Sequence, residues 1–122
     1  MAPSINLADK GHALIPGEAK RIAYVAEQLN EFEGSRQHFL NSDGSPMSPG
    51  HWFVQKDLAK VLQSISNEGP DVFYTGWIAE RLVEDNQKNG GVLSMMALAE
   101  YEAKDSHIVT GSYRGHNLAA LW

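Results

Sequence analysis

The sequence predicts a mainly helical fold that ends in a β-hairpin. Apolar residues recur three and four positions apart through residues 1–104, which is the spacing of one face of an α-helix. In residues 105–122, β-branched residues and a turn signal replace this pattern and favour two paired strands. A length of 122 residues suits one domain, so we predict a single segment, 1–122, made of this helical part and this hairpin.

Proline and glycine mark the ends of the first two predicted helices. The first helix covers Pro3–Lys10 and stops at Gly11. A longer helix begins at Pro16, and Gly34 is expected to end it. The apolar face of this longer helix carries Ile22, Val25, Ala26 and Leu29.

Residues 41–50 form the clearest predicted loop, because an Asp-Gly pair at 43–44 and two prolines set turn conformations. The next helix is predicted from Gln55 to Asn67, and the Gly-Pro pair at 69–70 stops it. The apolar stripe of this helix is expected to consist of Leu58, Val61, Leu62 and Ile65.

Two further helices are predicted before the hairpin. A turn of helix at Asp71–Tyr74 leads past Gly76 into the first of them, and residues 89–91 end it as a left-handed C-cap. Ser94 then caps a short helix that reaches Tyr101. The residues of the first helix that are expected to point inward are Ile78, Leu82 and Val83.

The hairpin is predicted from a β-branched run and a turn. Ile108–Thr110 forms the first strand, Gly111 is expected to break it, and residues 113–116 resemble a turn. Residues 117–122 pair back and end on an apolar Leu-Trp pair, which leaves an apolar edge exposed. We therefore expect this hairpin to join the sheet of a larger parent protein, or to support self-association through that edge.

Composition excludes several classes of function. The net charge is −5 and the sequence has no run of Lys or Arg, which argues against nucleic acid or an anionic membrane as a partner. The absence of cysteine excludes disulfides and thiolate chemistry. No basic and apolar leader follows Met1 and no segment is long and apolar enough to span a bilayer, so we expect a soluble chain without a signal peptide.

Three groups of short motifs occur in order along the chain. They are Val54–Ala59 with Ile65–Gly76, then Ile78–Ala79 with Lys88–Ser94, then Leu98–Tyr101 with Gly111–Gly115. This series resembles the middle of the large subunit of gamma-glutamyltransferases (gamma-glutamyltranspeptidases), where the motifs read VQ-x-DLA, GPDAFY-x-G-x-IA, GG-x-(I/L)-(T/S), DLA-x-Y and YRG. Each motif alone is common, whereas their order and spacing together are specific.

The resemblance extends upstream and covers nearly all of the chain. Residues 2–11 are similar to a P-x-I-x-LA-x-x-G segment of the family, and residues 39–46 to an FL-x-x-DG-x-P loop. Two departures stand out. Ala97 replaces an acidic residue, so the cap at Ser94 loses its acidic partner. Trp52 lies in a position that is usually polar, which predicts altered local packing.

The resemblance implies a helical segment of an N-terminal-nucleophile αββα protein. In this family a precursor cleaves itself, and a threonine becomes the first residue of a small subunit. That threonine attacks the gamma-glutamyl carbonyl, with its own α-amino group as the base. The family's substrate-carboxylate arginine lies upstream of the matched region, and its other pocket residues lie in the small subunit.

Three expectations follow from the resemblance. The partners are the rest of the large subunit and the small subunit that carries the threonine. The 122-residue chain is a scaffold portion that is inactive by itself, with no catalytic, cofactor-binding or metal-binding residue and no cofactor. The family is usually periplasmic, secreted or anchored outside the cell, but this chain does not define a compartment.

The residues that could carry other chemistry have simpler structural roles. Thr75 is expected to supply a helix-start hydroxyl, Thr110 a strand residue, and Ser94 a cap, and none begins a Thr-Thr-His run. Arg114 is expected to stabilise a turn, with binding of a substrate carboxylate as the lesser alternative. The aromatic residues are expected to bury their rings against the helices or against the parent enzyme; they are Tyr24, Trp52, Tyr74, Trp77, Tyr101, Tyr113 and Trp122.

Charged and histidine clusters also receive structural interpretations. The histidines lack metal-ligand spacing and are expected in exposed loops, although two of them could face each other across the hairpin. The pairs Glu84–Asp85 and Glu100/Glu102 are read as solvated faces, and Gly90–Gly91 as a helix end that lacks the Lys-Ser or Lys-Thr of a phosphate loop. The five histidines are His12, His38, His51, His107 and His116, of which the last two form the possible facing pair.

Two alternatives to a gamma-glutamyl-transferring parent remain open. The parent could be a related acylase, such as a cephalosporin acylase or a polyglutamate-cleaving relative, because these share the scaffold. The chain could also be a non-catalytic helical binding module, which would need to protect its apolar hairpin edge. A well-behaved monomer or tight dimer would favour the module, and an aggregating species would favour a portion of a larger enzyme.

Overall fold

The computed structural model describes residues 1–121 and confirms a mainly helical chain with a C-terminal hairpin. The helices are α1 Ala2–Lys10, α2 Pro16–Tyr24, α3 Ala26–Glu31, α4 Glu33–Phe39, α5 Lys56–Glu68, α6 Asp71–Tyr74, α7 Trp77–Lys88 and α8 Met95–Ala99. The strands are β1 His12–Ala13, β2 Trp52–Phe53, β3 Ile108–Tyr113 and β4 His116–Leu121.

The single helix predicted from Pro16 to Gly34 is wrong, because this stretch forms the separate helices α2, α3 and α4. Val25 (φ −110°, ψ 14°) separates the first two, and Phe32 (φ −117°, ψ 120°) is extended between the next two. Gly34 lies inside α4 instead of ending a helix. A straight helix would hold Ile22 and Phe39 about 25 Å apart, whereas both pack against one cluster here. Shared packing therefore decides where the chain bends.

A short ladder that the sequence did not predict joins α1 to α5. Antiparallel β1 and β2 pair His12 with Phe53, and the Gln55 N–H donates to the Ala8 carbonyl at 2.9 Å. Gly11 connects α1 to β1 with φ +83°, and a Cβ atom there would lie 2.7 Å from the Phe53 carbonyl oxygen. Only glycine fits this crossing, because the left-handed backbone and the close approach both exclude a side chain.

The core is small and lies under this ladder. Its buried cluster consists of Leu14, Met47 and Phe53, with Ile22 and Phe39 packed against it. The two phenylalanine rings lie 5.9 Å apart between centroids. The other buried hydrophobic residues of the described chain are Ala8, Ala19, Leu40, Ala59, Val72, Ile78, Ala79 and Val83. Half of these are alanines, so little apolar volume is enclosed.

Burial on α7 agrees only partly with the sequence pattern. Ile78 and Val83 are buried as predicted, whereas Leu82 is 40% exposed and its predicted inward placement is wrong. In helical projection Leu82 lies between Ile78 and the fully buried Ala79. It is therefore on the apolar face, but the elements around α7 do not extend far enough to cover it.

The C-terminal hairpin is regular, and its described side chains are exposed. Ile108 pairs with Leu121 and Tyr113 with His116, which confirms the predicted turn. β3 continues through Gly111, so the predicted break there is wrong. Every residue from 99 to 120 is exposed. Trp122, the end of the predicted second strand, lies outside the described residues.

The chain exposes far more surface than a compact protein of its mass. Its accessible surface is 9576 Å², whereas a folded monomer of 13.4 kDa exposes roughly 6,500 Å². The difference of roughly 3,000 Å² is comparable to the area of an obligate protein interface. The elements are thus well formed, but their outer faces lack the neighbours that would complete a core.

Candidate functional site

The hydroxyl groups that could act as nucleophiles serve local structure. Ser94 Oγ accepts a hydrogen bond from the Ala97 N–H at 3.1 Å, which confirms the predicted cap of α8. Thr110 lies in the β3–β4 ladder as predicted. Thr75 ends α6 and its Oγ1 donates to the Asp71 carbonyl at 3.0 Å, so its predicted place at a helix start is wrong. Within residues 1–121, no imidazole or carboxylate is hydrogen-bonded to any of these three hydroxyls, so none of the three forms a nucleophile–base pair.

The histidines do not converge. His12 Nε2 lies 3.9 Å from Glu18 Oε2, and His38 Nε2 lies 4.0 Å from Asp57 Oδ2. The predicted facing of His107 and His116 is wrong, because one precedes β3 and the other begins β4 at the opposite end of the hairpin. No group of three His, Asp or Glu side chains in the described part of the chain is placed to hold a metal ion.

Three exposed carboxyl groups have pKa values below the ordinary range. A hydrogen bond from Lys56 and its charge lower the pKa of Asp9. Hydrogen bonds from Gln37 and then Arg36 lower the pKa of Glu33, and the hydroxyl and backbone N–H of Ser45 lower that of Asp43. A general acid at neutral pH needs a raised pKa, so these three groups are suited to ion pairs and turns.

Glu84, Glu100 and Gly90 have the structural roles that the sequence predicts, namely solvated helix positions and a helix end. Glu84 Oε2 pairs with Arg81 at 2.9 Å on the exposed side of α7. Glu100 ends α8 and is exposed, which is a solvated position. Gly90 has φ +81° directly after the last residues of α7, which confirms the left-handed helix end.

Arg114 occupies the two-residue turn of the hairpin. It has φ +50° and is followed by Gly115 at φ +82°, the pattern of a type I′ turn. Its guanidinium lies 5.3 Å from the centre of the Tyr113 ring, within range of a cation–π contact. The turn role predicted for this arginine is thus observed, and its side chain is exposed.

Two shallow grooves lie on the surface of the helical part. The polar groove lies between α1 and α5 and contains the Asp9–Lys56 ion pair at 2.8 Å, with Lys60 beside it. The apolar groove lies between α2, α3 and α4 and is lined by Ile22, Tyr24, Val25, Leu29 and Phe39. In neither groove is a lining hydroxyl hydrogen-bonded to a carboxylate, an amine or an imidazole, so neither shows the nucleophile–base pair of a catalytic centre.

Most aromatic rings are more exposed than predicted. Tyr24 is 88% exposed, and burial of the rings against the chain's own helices is therefore wrong for most of them. The sequence did not predict two contacts that the aromatic residues make. Trp52 Nε1 donates to the Lys10 carbonyl at 2.9 Å and so caps α1, and Tyr74 stacks on Tyr101 with centroids 5.6 Å apart. The other exposed aromatic residues in the described part of the chain are Phe32, Trp52, Trp77, Tyr101 and Tyr113.

Comparison with known proteins places this arrangement in a family. The family model described as gamma-glutamyltranspeptidase matches residues 1–121. The chain is 36% identical over 120 residues to a glutathione hydrolase proenzyme of Escherichia coli, covering 98% of the chain and 20% of that protein. It is 33% identical over 118 residues to the acylase ACY 1 proenzyme of a Pseudomonas strain, covering 97% of the chain and 21% of that protein.

Solved structures agree with this placement. The chain superposes on the gamma-glutamyltranspeptidase of Helicobacter pylori with a TM-score of 0.94 and 35% identity, covering 99% of this chain and 35% of that one. The chain spans about a fifth of the length of the curated relatives. In the described residues, no helix is both long and apolar enough to cross a membrane. On the family model and these similarities, the chain belongs to the gamma-glutamyltranspeptidase family.

Proposed function

We propose that this chain is the helical scaffold portion of the large subunit of an enzyme that transfers or hydrolyses gamma-glutamyl groups of glutathione-type substrates. The match over residues 1–121 and the similarity to a glutathione hydrolase support this substrate class. The nucleophile and base would come from outside these residues, because Thr75 and Ser94 serve helix ends and Thr110 lies in the hairpin. The role of the chain is then to position and support the active site.

The main observation in favour of this proposal is the large accessible surface of the chain, which shows that many apolar side chains lack packing partners. Its surface exceeds that of a compact monomer of equal mass by roughly 3,000 Å². The exposed apolar groove between α2 and α4 and the uncovered Leu82 on α7 contribute to this excess. We propose the rest of the large subunit and the small subunit as the partners that cover these faces.

The hairpin supports the same proposal. β3 and β4 carry no Asp, Glu, Lys or Arg, and Ile108, Val109 and Leu118 are more than half exposed. Edge strands that face water usually carry charges or proline, which discourage further pairing. A pair of strands without Asp, Glu, Lys or Arg that is exposed on both faces is suited to the interior of a layered sheet. We therefore propose that residues 105–122 join the sheet of an αββα fold, with 1–104 as its helical part.

The direct test is an activity assay of the purified chain. We expect no release of the aniline from a gamma-glutamyl anilide when the chain is prepared from a host that lacks its own enzyme. The E. coli glutathione hydrolase, assayed in parallel, serves as the positive control. Steady turnover that co-purifies with the 122-residue chain would contradict the proposal.

A second candidate is the corresponding segment of a related acylase. The similarity to the acylase ACY 1 proenzyme is nearly as high as that to the glutathione hydrolase, so the scaffold alone does not separate the two substrates. A longer protein that contains this chain can be assayed with a gamma-glutamyl anilide and with an acylated cephalosporin. Turnover of the cephalosporin alone would favour the acylase.

A further inference from the structure

The end of α7 combines a labile dipeptide with an exposed backbone. Asn89–Gly90 is the only Asn-Gly pair in the sequence. Both residues are exposed, and Gly90 has no side chain to hinder the approach of its own nitrogen to the neighbouring amide. The pair follows the last turn of a helix, where local opening costs little free energy. This combination of accessibility and chemistry is what spontaneous deamidation requires.

We propose that Asn89 is a deamidation site and that its conversion removes the hydrogen bonds that the Asn89 side chain contributes to the C-terminal cap of α7. The Gly90 nitrogen attacks Asn89 Cγ, the Cγ–Nδ2 bond breaks, and Nδ2 leaves as ammonia with the proton from the Gly90 N–H. Water then opens the cyclic imide at either carbonyl and gives aspartate or isoaspartate. The only co-reactant is water, and no atom is oxidised or reduced.

The hydrogen bonds around Asn89 determine the rate and the effect of this reaction. Nδ2 donates to the Asp85 carbonyl at 2.8 Å and to Asp85 Oδ1 at 3.3 Å, and the Gly90 N–H donates to the Gln87 carbonyl at 3.0 Å. These bonds occupy both reacting groups, so the reaction proceeds when the last turn opens. The closed turn slows conversion without preventing it.

Conversion to aspartate reverses the side-chain contacts of this position, while the backbone N–H of residue 89 still donates to the Asp85 carbonyl at 3.1 Å. The donor that faces the Asp85 carbonyl becomes a carboxylate oxygen, so two acceptors meet. A second negative charge then lies next to the Asp85 carboxylate and at the C-terminal end of the helix, where the helix dipole disfavours anions. The segment after the cap also depends on α7, since Asn86 Oδ1 accepts from the Leu93 N–H at 2.8 Å.

Peptide mapping of aged protein tests the site. The folded chain is incubated at mildly alkaline pH and digested after glutamate, which releases residues 85–100 with both Asn86 and Asn89 in one peptide. We expect conversion at Asn89 several-fold faster than at Asn86 or Asn41, with both aspartate and isoaspartate as products. Equal or faster conversion at either comparison residue would overturn the assignment. So would an unchanged Asn89 over a period in which the denatured chain converts.

Two variants test the effect on the cap. Asn89→Asp reproduces the product, and Asn89→Gln is the neutral control that keeps an amide at the same position. We expect a lower midpoint of thermal unfolding for the aspartate variant than for the glutamine variant, with the difference shrinking at acidic pH where the carboxyl group is neutral. An aspartate variant at least as stable as the control at neutral pH would overturn the inferred loss of the cap.

Discussion

Single residues of this chain mostly act by closing helices and turns. Gly11 permits the crossing between α1 and the β1–β2 ladder, Trp52 caps α1 from a distant part of the sequence, and Ser94 caps α8. Each contact is local in space, but only the last is local in sequence. Substitutions at such positions should therefore change the free energy of unfolding more than any catalytic or binding property of the chain.

Two glycines provide a matched test of this interpretation. Gly11→Ala should destabilise the chain by about 2 kcal/mol or more, because it combines left-handed strain with a collision against the Phe53 carbonyl. Gly34→Ala should stabilise it by about 0.5 kcal/mol, since Gly34 lies in α4 with open space around it. Urea unfolding followed by circular dichroism measures both. A neutral Gly11→Ala would contradict the role of glycine at the crossing.

At the scale of elements, the helices associate through short connections and few buried side chains. α1 lies against α5, and one exposed ion pair, Asp9–Lys56, bridges them at 2.8 Å. The hairpin, by contrast, is held by its own ladder, and its described side chains are exposed. The elements therefore differ in how much they depend on partners outside the chain.

The Asp9–Lys56 pair should give a small, pH-dependent stabilisation. Because the folded pKa of Asp9 lies below its ordinary 3.8, the stabilisation is present above that value and is lost as the pH falls through the folded pKa. In Lys56→Met, NMR titration should show the pKa of Asp9 rising towards its ordinary value. Lys60→Met is the control, because Lys60 pairs with Asp57 within α5. An unchanged Asp9 titration in Lys56→Met would contradict the bridge.

The apolar face of the hairpin should drive self-association when no sheet is available to receive it. Val109 and Leu118 lie on one face, and Thr110 and Asn117 on the other, according to the register. Val109→Lys with Leu118→Lys should reduce the apparent mass measured by size-exclusion chromatography with light scattering. Thr110→Lys with Asn117→Lys is the control and should reduce it less. Equal effects of both pairs would point to edge pairing instead of the apolar face.

At the scale of the whole molecule, the chain buries a smaller share of its surface than an independent domain. Its accessible area of 9576 Å² corresponds to burial of roughly half of the unfolded surface, where about two-thirds is usual for this length. The helices and strands are thus formed, whereas the apolar core that they enclose is small. This is the physical basis for treating the chain as a portion of a larger assembly.

The heat capacity change of unfolding should reflect this limited burial. A typical chain of 122 residues gives about 1.5–1.8 kcal/mol/K, and the smaller buried area reduces this to about 1.2 kcal/mol/K. Differential scanning calorimetry at several pH values measures it from the slope of enthalpy against transition temperature. A value at or above the typical range would contradict the exposure of the outer helix faces and the hairpin, or reveal that self-association buries them.

Much of the architecture follows from the sequence for identifiable reasons. Proline and glycine gave correct ends for most helices, and the positive-φ positions at Gly90 and Gly115 match their predicted turns. The ordered motifs identified the family that the comparisons confirm. The sequence did not predict the bend at Phe32. A single extended residue between two helices leaves the three- and four-residue spacing of the apolar side chains unchanged. The two-residue strands β1 and β2 are too short to show alternation.

The sequence by itself determined the family, the helical character and the hairpin, because these depend on local spacing and on turn residues. Only the tertiary structure decided which apolar residues are covered. Leu82 lies on the predicted face of α7 and is exposed, while Trp52, for which the sequence predicted only altered local packing, caps α1. The physical reason is that burial requires a neighbour as well as an apolar side chain. For the outer faces of this chain, that neighbour is not among residues 1–121.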